Sequence, residues 1–351
     1  MTHILVRAEC RENEKRVGIT PLEAAHLLKK GIKVSIEDSN SRIIPSSKYR
    51  DVGCEIIEEK SWPNAPLETI IFGLKELPDE PFPLKHRHIM FGHAFKDQPM
   101  AETLLKRFKV GGGALYDIEY LVSPEGKRIA AFGYWAGYAG AAVTISCWVS
   151  QKLKKSSKVF AIYKDKDSLD EQIRNELESS KLLPKSAIVI GALGRVGSGV
   201  IDLCEKMNIK TTKWDIKETK EKEAFIDILN HDLFFNCVVA NKETPTFISE
   251  EIIQQNQNLS IIGDIACDPG SEHNPIALYD SVTTWSEPVT RVSEKPILDV
   301  MAIDNLPSLL PLESSVDFAS QLLPSLLELD KLNQGVWLRA HQTYLENVKR
   351  V

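Results

Sequence analysis

Short apolar runs alternate with helix-like segments along the first 120 residues. A helix is predicted to begin at Thr20 and Pro21, because threonine is a favoured N-cap and proline suits a first turn, and to stop at Gly31. A shorter helix is predicted at 47–52. The strands are predicted at 4–6, 33–36, 55–57, 69–72, 88–91 and 114–116. Repeated strand–helix–strand order indicates a parallel sheet with helices on its faces.

A second alternating region begins at Ala187. A buried strand there leads into a glycine-rich loop, a helix runs to about Met207, and strands are predicted at 211–214, 233–239 and 259–262. The polar segment 151–183 is predicted to be solvated helix and loop, and the chain looks helical from 306 onward, with Pro311 and Pro324 as breaks. We therefore predict an α/β protein with two doubly wound, Rossmann-like domains, 1–130 plus 306–351 and 131–305, and an active-site cleft between them.

One uncharged stretch, 129–149, is about long enough to cross a membrane. It is rich in Gly, Tyr, Ser, Thr and Trp, and it stands alone. Gly133, Gly137 and Gly140 recur at helical spacing, which permits close helix packing. We predict a buried helix that begins near Tyr134 and crosses between the two domains, and no membrane span.

The bulk composition narrows the class of protein. A hydrophobic fraction of 43% is enough for sizeable cores, and a net charge of −6 argues against a general nucleic-acid binder. The six cysteines form no CxxC pair and fit no zinc pattern, so no metal is predicted. A charge at Arg7 comes too soon for a signal peptide. We expect a cytoplasmic protein with reduced thiols, which acts as a monomer or weak oligomer.

The glycine loop of the second domain predicts a dinucleotide site. Gly191, Gly194 and Gly197 form GxxGxxG between a strand and a helix, where the pyrophosphate needs close backbone approach and the helix N-terminus favours its charge. Asp215 lies 24 residues after Gly191, near the offset of a carboxylate that bonds the ribose 2′ hydroxyl. That carboxylate favours NAD over NADP, a preference that Lys217 weakens slightly. The alternative is a tight turn in which Asp215 only caps a helix.

The strands of the first domain end in charged and polar residues. In open α/β sheets ligands gather beyond the carboxyl ends of the strands, so we predict a catalytic cleft there. Each residue alone has an ordinary interpretation: a surface lysine, a core histidine or a solvated turn. After the first strand these residues are Arg7, Glu9, Arg11, Glu14 and Arg16. After later strands they are Lys75 and Glu76, then His93, Lys96 and Asp97, and then Asp117 and Glu119.

These residue types indicate a particular chemistry. Arginine grips carboxylates through two parallel hydrogen bonds, so Arg16 suits a dicarboxylic or tricarboxylic substrate. Lys75 or His93 with a shifted pKa would move protons during imine formation or hydrolysis. Nearby Glu76 and Glu119 would hold those bases and set their pKa values.

Motifs spread from about residue 4 to 340 resemble those of the lysine-forming, NAD-dependent saccharopine dehydrogenases, which share their fold with alanine dehydrogenases and transhydrogenases. They include RAE at 7–9, GLKELP at 73–78, HAFKDQ at 93–98, LYDIE at 115–119, AGYAG at 136–140, IGALGR at 190–195, KWDIKET at 213–219 and DNLPSLLP at 304–311. The resemblance implies reversible oxidation of saccharopine by NAD, through an imine that water converts to L-lysine and 2-oxoglutarate.

The resemblance also implies roles for individual residues. Lys75 and His93 would be the acid–base pair, and Glu76 and Glu119 would tune them. The substrate carboxylates would be neutralised by Arg16, Lys96 and Arg11, the last standing where the family often has lysine. The dinucleotide would be bound by Gly191, Gly194, Arg195, Val196, Gly197, Asp215, Ile216, Arg128, Cys237 and Asp304.

Two other functions stay open at this point. The chain could be a binding or regulatory module that kept the glycine loop without turnover, although retention of both Lys75 and His93 argues against that. It could also be an alanine- or opine-type dehydrogenase acting with a different amine or 2-oxo acid. The number of cations separates the enzymes, because pyruvate needs one and 2-oxoglutarate needs two.

Overall fold

The computed structural model describes residues 1–95, 100–220, 222, 225–255 and 257–351. The chain divides into two compact units, one of Met1–Ala131 with Pro311–Val351 and one of Phe132–Leu310. The catalytic and NAD-binding roles of the two domains, and the cleft between them, stay predictions.

The elements of the described chain alternate as expected for α/β units. The strands are β1 His3–Val6, β2 Lys33–Glu37, β3 Glu55–Ile57, β4 Ile70–Phe72, β5 Arg87–Met90, β6 Ala114–Asp117, β7 Ser186–Ile190, β8 Lys210–Trp214, β9 Leu233–Asn236, β10 Ile261–Asp264, β11 Thr290–Glu294 and β12 Ile297–Met301. The helices are α1 Pro21–Lys29, α2 Ser46–Asp51, α3 Ala101–Gly111, α4 Gly133–Lys152, α5 Lys166–Ser180, α6 Arg195–Lys206, α7 Ile216–Thr219, α8 Glu250–Ile253, α9 Pro311–Leu326 and α10 Gly335–Val348.

The first unit contains a parallel sheet in the order β3-β2-β1-β4-β5-β6. This is the doubly wound order, and the winding reverses between β1 and β4, where open sheets commonly bind ligands. The predicted strands of this region are confirmed. So is the start of α1, where Thr20 and Glu23 form a capping box in front of Pro21.

Helix α9 corrects one prediction. Pro311 begins the helix and Pro324 lies inside it, so Pro324 is not a break. Pro324 stands in the last turn, where its missing N–H removes a single hydrogen bond, the one to the carbonyl of Ser320, and the helix continues to Leu326. The buried side chains of Phe318 and Leu322 pin the helix on the core on the N-terminal side of that position.

The second unit contains a sheet in the order β11-β12-β10-β9-β7-β8, parallel except for the β11–β12 pair. Strand β9 ends at Asn236, earlier than predicted, because the Asn236 side chain accepts from the N–H of Val238 and donates to Asp264, which turns the chain. The winding reverses between β7 and β9, so the glycine loop after β7 lies at the switch point of this sheet.

Helices α4 and α6 pack backbone to backbone within the second unit. A Cβ on Gly137 would lie 1.9 Å from the carbonyl oxygen of Val196, and one on Gly199 would lie 2.0 Å from that of Tyr134. The close packing predicted from the glycine spacing is therefore confirmed. All of α4 belongs to this unit, and its predicted crossing between domains stays a prediction. Within the described ranges, no helix combines the length and apolarity that membrane crossing needs.

Helix α5 corrects the prediction of a solvated segment at 151–183. Its outer face is exposed, but Leu169, Ile173 and Leu177 are buried. Buried Asp170 accepts from the hydroxyl of Tyr138 at 2.6 Å and from Lys166 at 2.8 Å. Although the segment carries many charged residues, one face of α5 is therefore apolar and buried.

Candidate active site

The carboxyl ends of β1, β4, β5 and β6 meet at one edge of the first sheet, because the four strands are parallel. Strand β4 leads to Lys75, β5 to His93 and β6 to Asp117 and Glu119. The loop after β1 carries Glu14 and Arg16. The residues predicted from separate strand ends therefore lie along this one edge, which includes the β1/β4 switch point.

Lys75 is half-buried beside the charges of the loop after β1. Burial lowers its pKa, the positive charge of Arg16 lowers it further, and Glu14 only partly opposes this. Arg11 also lowers the pKa and Glu76 raises it. A lysine in these surroundings gives up its proton more readily than an exposed one, which general acid–base chemistry near neutral pH requires.

Arg16 and Glu14 form a buried ion pair. Nε of Arg16 donates to Oε1 of Glu14 at 2.8 Å and Nη2 donates to Oε2 at 2.6 Å, with side chains 3% and 0% exposed. Burial opposes ionisation of Glu14, but the bonds from Arg16 outweigh it and lower the Glu14 pKa. Arg16, which was predicted to bind a substrate carboxylate, thus binds the carboxylate of Glu14. Substrate binding by Arg16 stays a prediction.

His93, Glu119 and Arg128 form a second charged group. Nδ1 of His93 lies 4.0 Å from Oε2 of Glu119, and Nη2 of Arg128 donates to Oε1 of the same carboxylate. The His93 ring stacks on Phe91, with centroids 6.2 Å apart. Glu119, predicted to tune the acid–base pair, therefore lies beside His93, and the roles of both residues stay predictions. Arg128, predicted on the cofactor side, belongs to the first unit, where it bonds Glu119.

Glu76 and Arg11 form an exposed ion pair, with oxygen and nitrogen 3.7 Å apart and both side chains 42% exposed. Exposed pairs of this kind contribute little to stability. Glu76 and His93 line one cavity of about 380 Å³ within the first unit, together with Leu104. Lys96, the third predicted substrate cation, lies outside the described residues.

Asp117 is a strand-end residue of the predicted cleft to which the sequence assigned no role. It is fully buried at the end of β6, where Oδ2 accepts from the N–H of Gly92 at 3.2 Å and Oδ1 from that of Glu119 at 2.9 Å. It thereby joins the loop that carries His93 to the turn that carries Glu119. Burial raises its pKa to about 7, although the two backbone bonds oppose the rise. The sequence signal was an acid directly at the end of an apolar strand.

The raised Asp117 pKa predicts a pH-dependent stability. The folded state holds this proton up to about pH 7, whereas the unfolded carboxyl loses it near 3.8, so stability falls as pH rises between these values. Asp117→Asn removes the effect. Relative to wild type, the variant should gain up to roughly 4 kcal/mol between pH 4 and pH 8. Urea unfolding at both pH values measures this difference in the free energy of unfolding, and the exposed Asp51→Asn is the control. If the stability of Asp117→Asn changes with pH in parallel with that of wild type, the raised Asp117 pKa is refuted.

The glycine loop of the second unit is packed tightly between the end of β9 and the start of α6. Gly191 has φ +87°, and a Cβ there would lie 3.0 Å from the main chain of Cys237. A Cβ on Gly197 would lie 2.3 Å from the Gly191 carbonyl oxygen, and Gly194 is the N-cap of α6. Side chains at 191 and 197 would fill the space in which the loop and the helix start approach each other.

Asp215 caps a helix, as one of the two interpretations of the sequence has it, and it also contacts the glycine loop, while the ribose contact stays a prediction. Its Oδ1 accepts from the N–H of Ile216 and it forms a capping box with Glu218, so it caps α7. Its Oδ2 accepts from the N–H of Leu193 at 3.0 Å, so it also holds the glycine loop. Leu193 and Ile216 beside it are exposed apolar side chains. The carboxylate thus stands against the loop where the predicted ribose would lie.

The other predicted cofactor residues are less closely grouped. Cys237 is buried against Gly191, Arg195 begins α6, and Val196 packs beside Gly133. Asp304 is exposed and lies near Cys267, whose thiol pKa is raised by burial and then by nearby acids. No cluster of His, Cys, Asp and Glu in the described part of the chain could hold a metal ion.

Comparisons with known proteins cover nearly all of the chain. The family models described as alanine dehydrogenase/PNT match, the N-terminal domain at 5–139 and the C-terminal domain at 227–348. Saccharopine dehydrogenase [NAD(+), L-lysine-forming] of Candida albicans is 41% identical over 99% of this chain and 97% of its own length. The proteins of the same description from Yarrowia lipolytica and Schizosaccharomyces pombe are 40% and 38% identical, over 99% of this chain and 97% and 99% of theirs.

Two solved structures share the fold. An L-alanine dehydrogenase superposes with TM-score 0.70 at 14% identity, covering 99% of this chain and 94% of its own. A transhydrogenase from Sinorhizobium meliloti superposes with TM-score 0.57 at 15% identity, covering 94% of this chain and 95% of its own. At these identities the likeness concerns the fold alone.

Proposed function

The chain belongs to the L-lysine-forming saccharopine dehydrogenases within the alanine dehydrogenase/PNT family, and from this premise we propose that it converts saccharopine and NAD⁺ reversibly to L-lysine, 2-oxoglutarate and NADH. It is an NAD-dependent oxidoreductase acting on a CH–NH bond. The observation that carries the proposal for the site is the position of Lys75, half-buried beside Arg16 and Glu14 at the β1/β4 switch point. A cytoplasmic location and a monomeric or weakly oligomeric state are part of the proposal.

The residues of the glycine loop fit a dinucleotide. When bound, NAD⁺ accepts the hydride from the substrate carbon that carries the secondary amine. Gly191 and Gly197 let the loop pack tightly at the start of α6, and that helix start would favour the charge of the pyrophosphate. Asp215 would meet the ribose, and Arg195, Val196, Ile216, Cys237 and Asp304 would surround it. Arg128 would act from the first unit, from its place on Glu119.

Proton movement falls to Lys75 and His93. Neutral Lys75 takes a proton from the substrate amine, which its lowered pKa favours. The imidazole of His93 takes protons from the water that adds to the imine and passes them to the nitrogen of the departing lysine amine. Oε2 of Glu119 lies 4.0 Å from Nδ1 of His93, and Glu76 lines the same cavity as His93.

Substrate recognition needs cations for the carboxylates. Arg16, Arg11 and Lys96 are the proposed partners, and the charges of both arginines act on Lys75. More than one cation beside the proposed base favours a 2-oxoglutarate-derived substrate over a pyruvate-derived one. An alanine-type activity is therefore not favoured by this arrangement.

A comparison of substrates tests this function. NADH oxidation is measured with 2-oxoglutarate and L-lysine, then with ornithine in place of lysine, and then with pyruvate and ammonium. Lysine with 2-oxoglutarate should give the highest kcat/KM by at least about ten-fold, as expected where a site pairs buried charges with its own substrate. A higher value with pyruvate and ammonium would contradict the proposal.

The cofactor assignment predicts a change in nucleotide preference. Asp215→Ala removes a carboxylate that would repel a 2′-phosphate and also frees the N–H of Leu193. NADH affinity should therefore fall by about ten-fold or more, while the NAD/NADP preference ratio shrinks, since one hydrogen bond to a charged group contributes roughly 1.5–3 kcal/mol. Steady-state kinetics with both nucleotides measure the ratio. Lys217→Ala is the neighbouring comparison and should not shrink the ratio, because it removes a cation that weakens the NAD preference. An unchanged ratio in Asp215→Ala would rule out the ribose contact.

A further inference from the structure

The main chain just beyond β4 is held by a side chain from the end of β1. Oε1 of Glu9 accepts from the N–H of Leu74 at 2.6 Å, and Oε2 accepts from the N–H of Lys75 at 3.0 Å. The last backbone bond between the two strands runs from the N–H of Arg7 to the carbonyl of Phe72. Beyond it, the Glu9 carboxylate supplies the acceptors that a continuing strand would have supplied.

Arg7 secures the other side of the same segment. Its Nη2 donates to the carbonyl oxygen of Lys75, and its Nη1 donates to the carbonyl of Ala8 at 3.1 Å and to Glu9 at 3.4 Å. The Arg7 side chain is 1% exposed and that of Glu9 is 9% exposed. Lys75 therefore has both its N–H and its carbonyl bound by one buried arginine–glutamate pair.

Gly73 makes room for this arrangement. A Cβ at position 73 would lie 2.5 Å from Nε and 2.6 Å from Cζ of Arg7, which is too close for any side chain. The guanidinium thus occupies the space that a larger residue before Lys75 would take. The end of β4, Arg7 and Glu9 therefore pack together in this way only because residue 73 is glycine.

We propose that Glu9, together with Arg7, is a positioning residue that fixes the main chain of Lys75 so that its amine stays beside Arg16 and Glu14. This rests on the proposed function, in which Lys75 moves a proton. The charges that act most strongly on the Lys75 amine are those of Arg16, Glu14, Arg11 and Glu76, whereas the Glu9 carboxylate is bound to the main chain of Lys75. Misplacing a catalytic group by about 1 Å costs on the order of 100-fold in rate.

The test replaces Glu9 by glutamine, which leaves an NH₂ group facing one of the two backbone N–H groups. We expect kcat for saccharopine oxidation to fall by about ten- to hundred-fold, with the KM for NAD⁺ within about two-fold of wild type. The limb of the pH profile that reports Lys75 should move to higher pH, because a displaced lysine lies in more water and farther from Arg16. A merely structural role would not move that limb.

Glu12→Gln is the matched control, since Glu12 is an exposed glutamate of the same loop and its loss removes the same charge. It should leave kcat and the pH profile unchanged. If Glu9→Gln does not fold, Gly73→Ala displaces Arg7 and should give the same loss and the same shift. If Glu9→Gln, or Gly73→Ala in its place, has the same kcat and the same pH profile as Glu12→Gln, the positioning role is overturned. Wild-type protein without saccharopine-dependent NADH formation would instead overturn the proposed function.

Discussion

Replacing Lys75 by methionine and His93 by glutamine together should lower kcat for saccharopine oxidation by at least about two to four orders of magnitude, since one acid–base group contributes about 10²–10⁴-fold. Both residues stand at carboxyl ends of neighbouring strands in the first unit, and the dinucleotide loop lies in the second. NADH affinity should therefore survive within about two-fold, as expected when only chemistry is removed. Stopped-flow or steady-state assays give kcat, and fluorescence titration gives the NADH Kd.

Two single variants separate the roles of the pair. Lys75→Met should lose the pH-profile limb that reports the lysine, and His93→Gln should keep it. The losses need not multiply, because residues that act as one unit are not additive. Turnover within ten-fold of wild type in the double variant would remove both residues from the acid–base assignment.

Replacing Arg16 by methionine should destabilise the protein by about 3–5 kcal/mol, because the Glu14 carboxylate would stay buried without its partner. The Glu14 side chain is 0% exposed, so water does not replace the lost bonds. Urea unfolding at pH 7 measures the change in the free energy of unfolding. Arg16→Lys keeps the charge, loses the two-bond geometry, and should cost less.

The double variant Glu14→Gln with Arg16→Met separates stability from substrate binding. Without a buried carboxylate it should recover most of the lost stability. The KM for saccharopine should nevertheless stay raised, if Arg16 also neutralises a substrate carboxylate. If both the stability and the KM for saccharopine recover fully, Arg16 is only a structural partner of Glu14. If Arg16→Met is as stable as wild type, the buried ion pair itself is contradicted.

The fold was largely predictable because its strands are short apolar runs between turn residues, and buried parallel strands have this pattern. Strand β11 was missed because TRVSE is polar and becomes a strand only by pairing with β12. Pro324 was misjudged because its cost depends on its place within α9, which the sequence does not mark.

The site was predictable to the extent that parallel strand ends bring residues together. The placement of Lys75, His93 and Glu119 along one edge of the sheet was predicted this way, and their roles stay predictions. What the sequence could not supply was which polar groups bind each other: Arg16 holds Glu14, and Asp215 both caps α7 and holds the glycine loop. Asp117 and Glu9 act on main-chain N–H groups of other segments, and such contacts carry no sequence spacing.

The most direct test of the central claim is a product balance. The protein is incubated with saccharopine and NAD⁺, NADH is followed by absorbance, and L-lysine and 2-oxoglutarate are quantified by mass spectrometry. NADH, L-lysine and 2-oxoglutarate should appear in equal amounts, and the double variant Lys75→Met with His93→Gln should abolish all three together. NADH formation that does not depend on saccharopine, or that is not matched by L-lysine, would contradict the central claim.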